Sequence, residues 1–211
     1  ISTVVAFRHL ERLDDSLKIA KDVIQSGASY FENTFQDENQ RWLAVPPEIN
    51  NFPHAPWWHY DESSLGCSVD KSWGNPTAEI LSYGLKYNCF SDEIDISKLV
   101  ETAVQKINQK EKFESEHEVY CYLKLHAVLP NDKAKKIRAQ LTNAVNQLVC
   151  NDPSRWDNYV PSPLNFVTDP DSPRFGISES MLEKNLDFLI EKIIEESVIE
   201  PSWEWGQYES E

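Results

Sequence analysis

Two histidines and three carboxylates between residues 51 and 74 could together bind a metal ion. His54 and His59 offer imidazole nitrogens, and the carboxylates that follow them belong to Asp61, Glu62 and Asp70. Imidazole and carboxylate ligands suit zinc or another divalent ion. The spacing of five residues between the histidines, in a stretch broken by prolines, matches no standard metal-binding pattern. We therefore expect no metal and no cofactor, with the histidine rings packing on neighbouring tryptophans.

Tryptophans in the same stretch could line an apolar pocket, and they are Trp57, Trp58 and Trp73. Aromatic faces stabilise cations, which is what carbocation chemistry or an ammonium ligand requires. Aromatic side chains also dominate packing energy, so the same residues could instead pin the loop to the helices beside it. Both interpretations place the tryptophans against helices.

A glutamate in the helix that Asn75-Pro76 is predicted to open could act as an acid. Burial would raise the pKa of Glu79 and favour its protonated form. His117 and Glu118 begin a later helix and could lie beside it, unless these groups form a polar network that closes the helix ends. We predict that the loop covers a mostly apolar cavity at these two helices. Its candidate lining residues are Trp57, Trp58, His59, Glu79, Tyr83, His117 and Tyr120.

The elements that must position these residues are helices. Of the 211 residues, 40% are hydrophobic and only 6 are glycine, and strand-like alternation is rare, so we predict an all-α fold. Residues 43–74 and 151–177 are predicted as long loops without secondary structure. The predicted helices cover residues 3–13, the segment from the Asp14-Asp15-Ser16 caps to about Phe35, then 75–87, 96–107, 116–129, 132–149 and 180–193.

Capping residues and apolar spacing support several of these helices. Asp95 is predicted to cap the helix that follows it, and Ser180 to Glu183 matches a capping box. Three-and-four spacing predicts the inward face of the second helix at Ala20, Val23, Ile24, Gly27, Phe31 and Phe35. The same spacing predicts the inward face of the last helix at Leu182, Leu186, Leu189 and Ile193.

Buried and amphipathic helices alternate three times along the chain, which indicates a loose repeat. One pair cannot bury its own apolar face, so neighbouring pairs must stack in two layers with the buried helices inside. This predicts a curved solenoid or an α/α toroid, or an arc of one, as a single domain over residues 1–211. Because the chain starts without Met and stops just after Trp203-Glu204-Trp205-Gly206, we expect truncation at one or both ends.

Three stretches together resemble the terpenoid cyclase and protein prenyltransferase superfamily, especially bacterial proteins with prenyltransferase or squalene-cyclase repeats. Residues 27–31, followed by Gln36 and Trp42, are similar to the repeat that ends a helix with Gln and Trp, although its usual Gly is missing. The other two stretches are Ala55-Pro56-Trp57-Trp58 leading to residues 75–80, and residues 185–206. The resemblance implies an α/α toroid that holds an isoprenoid-like molecule in a central cavity.

The catalytic motifs of that superfamily do not carry over. Class II cyclases protonate an alkene with a D-x-D-D cluster, and the nearest match, Asp169-Pro170-Asp171-Ser172, lacks the last Asp. Protein prenyltransferases bind zinc with an Asp, a Cys two residues later and a distant His, but this chain has no Asp-x-Cys triplet. Glu204 between Trp203 and Trp205 hints instead at sugar hydrolysis on an α/α barrel. Whether the protein is an enzyme therefore stays open.

Charge and cysteine content narrow the classes of partner. With 20 Lys and Arg against 35 Asp and Glu, the formal net charge is -15, which repels phosphate backbones and anionic membranes. No apolar run is long enough to span a bilayer. Four cysteines without a C-x-x-C pair indicate a reducing, cytoplasmic location. Two functions remain: an enzyme or binder of an apolar small molecule, and a non-catalytic helical-repeat scaffold for a protein partner.

Overall fold

The structure is a computed structural model that describes residues 2–13 and 17–197. These residues form helices and no β-strand, which confirms the predicted all-α class. The α-helices are α1 (Ser2–Leu10), α2 (Lys18–Thr34), α3 (Gly74–Tyr87), α4 (Ile96–Gln109), α5 (Glu116–Val128), α6 (Asn131–Leu148), α7 (Pro163–Phe166) and α8 (Glu179–Glu196).

Short helices interrupt both segments that the sequence predicts as loops. Three 3-10 helices, Pro47–Asn51, Pro56–Trp58 and Ser68–Lys71, lie between α2 and α3. Another, Pro153–Arg155, and the single turn α7 lie between α6 and α8. Proline starts three of the four 3-10 helices, where its fixed φ suits a first helical turn. The prediction of two segments without secondary structure is therefore wrong.

The chain divides into two compact units. The first comprises residues 1–111 and 117–139, and the second comprises residues 112–116 and 140–211, so that α6 supplies residues to both. In the first unit, α3 contacts α1, α2 and α4. The single domain that the sequence suggests stays a prediction.

Helix α3 forms the centre of the first unit because residues 76–84 are all buried. Two glycines let aromatic rings approach it closely. A Cβ atom at Gly74 would lie 2.5 Å from Tyr122 Cζ of α5, and one at Gly84 would lie 2.4 Å from Phe90 Cε2. The backbone of Asn75 is extended (φ -110°, ψ 113°), so regular helix begins at Pro76.

The helices that follow α3 start where the sequence predicts. Asp95 caps α4, since its carboxylate accepts a hydrogen bond from the Lys98 amide at 2.9 Å. Helix α5 begins at Glu116, as predicted. Helix α4 buries one face, at Leu99, Val100, Ala103, Val104 and Ile107. Helix α5 buries apolar and polar residues alike, at Glu118, Val119, Cys121, Tyr122 and Leu125.

The inward face predicted for α2 is partly wrong. The buried residues are Ala20, Ile24, Ala28 and Phe31. Val23, which was predicted to face inward, is 44% exposed. Helix α2 carries two adjacent apolar stripes with the same three-and-four spacing, so periodicity alone cannot decide which stripe the core covers.

In the second unit, α8 packs against the segment that contains Trp156 and α7. The Trp156 ring lies 5.6 Å from that of Phe188, and its indole N–H donates to the Cys150 carbonyl at 2.8 Å. Asn185, which is buried, accepts a hydrogen bond from the Leu164 amide at 3.0 Å. These contacts define the buried side of α8.

The predicted start and inward face of α8 both need correction. Its cap is Ser178, whose hydroxyl accepts from the Met181 amide at 3.3 Å, two residues earlier than the predicted capping box. Leu182 is buried as predicted, but Leu186 and Ile193 are each 50% exposed. The buried side instead includes the polar Asn185, which an apolar count ignores.

Within residues 2–13 and 17–197, no helix is long and apolar enough to cross a membrane. Three sequence predictions fall wholly or partly outside these residues: the caps at Asp14-Asp15-Ser16, the acid Glu204 between Trp203 and Trp205, and the end of the family-like stretch 185–206.

Candidate functional site

Two polar side chains organise the segment that links α2 to α3. Asp70 is 7% exposed and accepts hydrogen bonds from the Ala44 amide at 2.7 Å and the Cys67 amide at 2.9 Å. The Asn50 amide side chain closes residues 51–59 into a loop, because it donates to the Tyr60 carbonyl at 2.8 Å and accepts from the Tyr60 amide at 2.9 Å. The Asp70 carboxylate is therefore bonded to backbone, as a structural acceptor.

His54 and His59 lie together inside the closed loop. His54 Nε2 is 3.2 Å from His59 Nδ1, with the rings 5.4 Å apart and nearly parallel. His54 Nδ1 lies 2.6 Å from the Phe52 carbonyl oxygen, which can only accept, so His54 donates from Nδ1. Asp61 instead accepts two hydrogen bonds from Ser63. Among the described residues, no three His, Cys, Asp or Glu side chains form a group that could hold a metal ion.

The three tryptophans of this segment occupy different surroundings. Trp58 packs against a small buried cluster made of Ala44, Val45 and Cys67. Trp73 donates its indole N–H to the Gln40 carbonyl at 2.8 Å. Trp57 is 55% exposed. These contacts of Trp58 and Trp73 lie within the segment between α2 and α3, so the pinning of the loop to the helices stays a prediction.

Glu79 lies at the centre of an ion network that joins α1, α3 and α5, although its side chain is only 1% exposed. Arg8 donates from Nε to Oε1 at 2.7 Å and from Nη2 to Oε2 at 2.6 Å. Lys124 Nζ lies 2.9 Å from Oε1, and the Tyr83 hydroxyl donates to the same oxygen at 2.7 Å. Lys124 also lies 2.9 Å from Glu11, whose carboxylate extends the network.

These contacts reverse the pKa shift that burial alone would cause. Burial raises the pKa of Glu79, but the hydrogen bond from Arg8 and the positive charge of Lys124 outweigh it and lower the pKa from 4.5 to about 2. The prediction of a raised pKa is therefore wrong. Glu79 is ionised near neutral pH and accepts hydrogen bonds, so it is not poised to donate a proton.

Two further groups beside Glu79 hold their protons. Burial and the negative charge of Glu79 raise the pKa of the Tyr83 hydroxyl. Burial, followed by the same charge, raises the pKa of the Cys121 thiol, whose Sγ lies 3.7 Å from Glu79 Oε2. A buried thiol that stays protonated is a poor nucleophile, so the network has the chemistry of a structural cluster.

The remaining predicted residues belong to α5. The exposed His117 ring meets the half-buried Tyr120 ring edge-on at 5.9 Å. Glu118 is 2% exposed, accepts from the Tyr122 hydroxyl at 2.8 Å and lies 2.7 Å from Lys110 Nζ. The structure therefore brings Glu79 to Tyr83 and His117 to Tyr120. The two glutamates form hydrogen-bonded networks of the kind that the sequence offers as the alternative to an acid.

A separate cavity of about 190 Å³, which we call the Trp42 cavity, lies among α1, α2, α3 and residues 42–47. The Trp42 indole donates to the Phe31 carbonyl at 2.7 Å, and its amide donates to the Thr77 hydroxyl at 3.1 Å, so this wall is held in place. The cavity is lined by Val4, Tyr30, Phe31, Thr34, Gln36, Trp42, Leu43, Ala44, Val45, Pro46, Pro47 and Ile80.

The residues predicted to line a pocket do not border the Trp42 cavity. Its aromatic residues come from another stretch, residues 30–42, whose Gln36 and Trp42 carry part of the family resemblance. The aromatic residues clustered in residues 27–42 were the sequence signal for this cavity. The prediction instead chose the tryptophan-rich stretch after Asn51.

No protein-family model, curated protein or solved structure matches this chain. The resemblance to the terpenoid cyclase and prenyltransferase superfamily therefore stays a prediction.

Proposed function

We propose that this protein binds a small apolar molecule, of isoprenoid-like character, in the Trp42 cavity. The lining of this cavity carries the proposal. Tyr30, Phe31 and Trp42 contribute aromatic rings, and Val4 and Ile80 contribute aliphatic side chains. A mostly apolar concave site with a few polar groups is the usual form of a small-molecule pocket.

The size of the cavity limits the ligand. Its volume is about 190 Å³, and an apolar cavity of about 150 Å³ already holds benzene. A ligand, or the part of a ligand that enters, thus has the size of a small ring or a short branched hydrocarbon. Thr34 and Gln36 are the polar side chains at the lining that could orient one oxygen or nitrogen of the ligand.

Binding without catalysis is favoured by the lining of the Trp42 cavity, which includes no carboxylate, histidine or cysteine among the described residues. The closest approach to a D-x-D-D cluster, at residues 169–172, lacks its last acid. These observations support a ligand carrier or sensor over a cyclase.

We also propose that the helices form an arc of an α/α toroid, of the kind found in prenyltransferase and squalene-cyclase repeat proteins. The contrast between α3, buried along residues 76–84, and α4, buried on one face, supports inner and outer helices. A cytoplasmic location is part of the same proposal, and it is supported by four cysteines that are buried as free thiols.

Ligand binding can be tested with benzene and geraniol as probes, by following the Trp42 indole N–H in two-dimensional ¹H–¹⁵N spectra. We expect both probes to shift this resonance in the wild-type protein. Leu43→Trp should abolish the shift, because the larger side chain at this partly exposed lining position fills the cavity. The matched control Ile194→Trp, at a position 74% exposed on α8, should leave the shift unchanged.

Unchanged binding in a folded Leu43→Trp protein would refute the Trp42 cavity as the site. Absence of any shift with both probes at millimolar concentration would refute the apolar ligand itself. Circular dichroism and thermal unfolding of each variant establish that the fold is retained.

A further inference from the structure

An open groove of about 590 Å³ runs between α1 and α2, on the outer side of the first unit. Ala6 and Leu10 of α1 form one wall, and Ile19, Val23 and Tyr30 of α2 form the other. A Cβ atom at Gly27 would lie 2.4 Å from Phe7 Cε2, so only glycine lets the Phe7 ring lie on α2 and form the floor.

The α2 wall of this groove exposes large apolar side chains. Ile19 is 72% exposed, Tyr30 is 48% exposed and Val23 is 44% exposed. This is the second apolar stripe of α2, which the core leaves uncovered. Exposed aliphatic and aromatic groups that form one concave surface mark interaction sites more often than isolated exposed residues do.

The length of the groove along α2 fits a partner helix of about three turns. From Ile19 to Tyr30 the chain advances eleven residues, which corresponds to roughly 16 Å, or three turns. An amphipathic helix that enters a groove presents apolar anchors at positions i, i+4 and i+7, and one further anchor at i+11 extends this stripe over the same eleven residues.

The charge at the groove specifies the partner further. Asp22 is the charged residue of its lining, and it makes no hydrogen bond or ion pair within the part of the chain that the structure describes. The full chain carries a net charge of -15, which attracts cationic partners and repels a second copy of itself and anionic lipid.

We propose that the α1–α2 groove binds an amphipathic helix of a partner protein, with its apolar stripe on Ile19 and Val23 and a Lys or Arg paired with Asp22. This interaction is separate from ligand binding in the Trp42 cavity. Tyr30 borders both sites, so the test below leaves Tyr30 unchanged.

Three fluorescein-labelled 14-residue peptides test the proposal by fluorescence anisotropy. Alanine and glutamine fill every position that is not specified below. The first has leucines at positions 1, 5, 8 and 12 with one flanking lysine. The second replaces that lysine by glutamate, and the third has the composition of the first with the leucine stripe broken. One charged side chain per peptide, with the same label on all three, keeps differences in non-specific attraction to the acidic protein small. We expect the first peptide to bind at least tenfold more tightly than the other two.

Variants of the protein locate the binding. Ile19→Ser and Val23→Ser leave the net charge unchanged and should each weaken binding of the first peptide at least tenfold. Asp22→Asn should reduce the preference for lysine over glutamate to the part that the remaining net charge of the chain causes. Ile194→Ser, which removes an equally exposed isoleucine from α8, should bind like wild type.

Equal binding of the striped and broken peptides, or unchanged binding in Ile19→Ser and Val23→Ser, would overturn the proposal. So would self-association in sedimentation velocity that Ile19→Ser abolishes, or binding of phosphatidylglycerol vesicles without binding of the peptides. Failure of the peptides with intact benzene and geraniol binding would leave the proposed ligand function standing.

Discussion

Helices α3 and α5 carry the same spacing of glutamate and tyrosine, but they neutralise the glutamate in different ways. In each helix a buried glutamate accepts a hydrogen bond from a tyrosine hydroxyl four residues later, at 2.7 Å for Glu79 and at 2.8 Å for Glu118. Glu79 then contacts Arg8 from α1 and Lys124 from α5. Glu118 contacts Lys110, which lies in the short link between α4 and α5.

This difference separates what a helix fixes locally from what the tertiary structure adds. The glutamate and tyrosine bond is set by the i, i+4 geometry of any helix. The cations are not, since Arg8 is 71 residues away from Glu79 and Lys110 only eight away from Glu118. Glu79 therefore holds three helices together, whereas Glu118 fastens its own helix to the adjoining link.

The largest expected effect comes from removing the two glutamates. Glu79→Ala should lower the free energy of unfolding by about 3–5 kcal/mol, because two cations lose the carboxylate they share. Glu118→Ala should cost less, about 1–3 kcal/mol, because its ion pair with Lys110 joins α5 only to the adjoining link, whereas the ion pairs of Glu79 join three helices. Urea unfolding at pH 7 measures both. Equal losses would show that tertiary cations add nothing to the shared helical motif.

Acid should remove the contribution of Glu79 to stability, which is the next largest effect. Because the pKa of Glu79 falls from 4.5 to about 2 on folding, its stabilisation is full above pH 4.5 and is lost as the pH falls toward 2. The loss is on the order of 3 kcal/mol. We expect the stability difference between wild type and Glu79→Gln to shrink over this window in urea titrations at a series of pH values. A constant difference would contradict the lowered pKa.

The smallest expected effect comes from the tyrosine hydroxyls. Tyr83→Phe and Tyr122→Phe should each cost about 1.5 kcal/mol, the low end of the range for a hydrogen bond to a charged group. Tyr83→Phe should be the costlier change, because Lys124 Nζ also lies 3.1 Å from the Tyr83 hydroxyl. A larger loss for Tyr122→Phe, measured by the same urea method, would reverse the order that the tertiary contacts imply.

Local signals in the sequence predicted the helices well. The Asn-Pro start of α3, the Asp95 cap of α4 and the start of α5 at Glu116 depend on a few neighbouring residues, and all three are observed. The choice of buried face was less predictable. Both α2 and α8 carry more apolar residues than one face can hold, so Val23 and Leu186 were assigned inward although they are exposed.

The candidate site was harder to predict because its chemistry depends on distant residues. Nothing near Glu79 in the sequence indicates that Arg8 will meet it, and that contact reverses the direction of its pKa shift. The Trp42 cavity likewise combines Val4, Phe31 and Ile80 from three separate helices. The stretch rich in Trp and His after Asn51 suggested a ligand pocket, but its Trp58 packs against a small cluster of nearby residues.

The two hydrogen bonds between the Asn50 side chain and the Tyr60 backbone, which we call the Asn50 clamp, have a consequence for how this protein can change over evolution. One side chain fixes both ends of residues 51–59 through two hydrogen bonds to Tyr60, so the geometry of the loop base does not depend on the residues inside it. Apart from Trp58, whose packing anchors the loop, we expect those residues to tolerate substitution without a change in the helices. A new binding specificity could be introduced there by substitution alone, because the Asn50 clamp already holds the base of the loop.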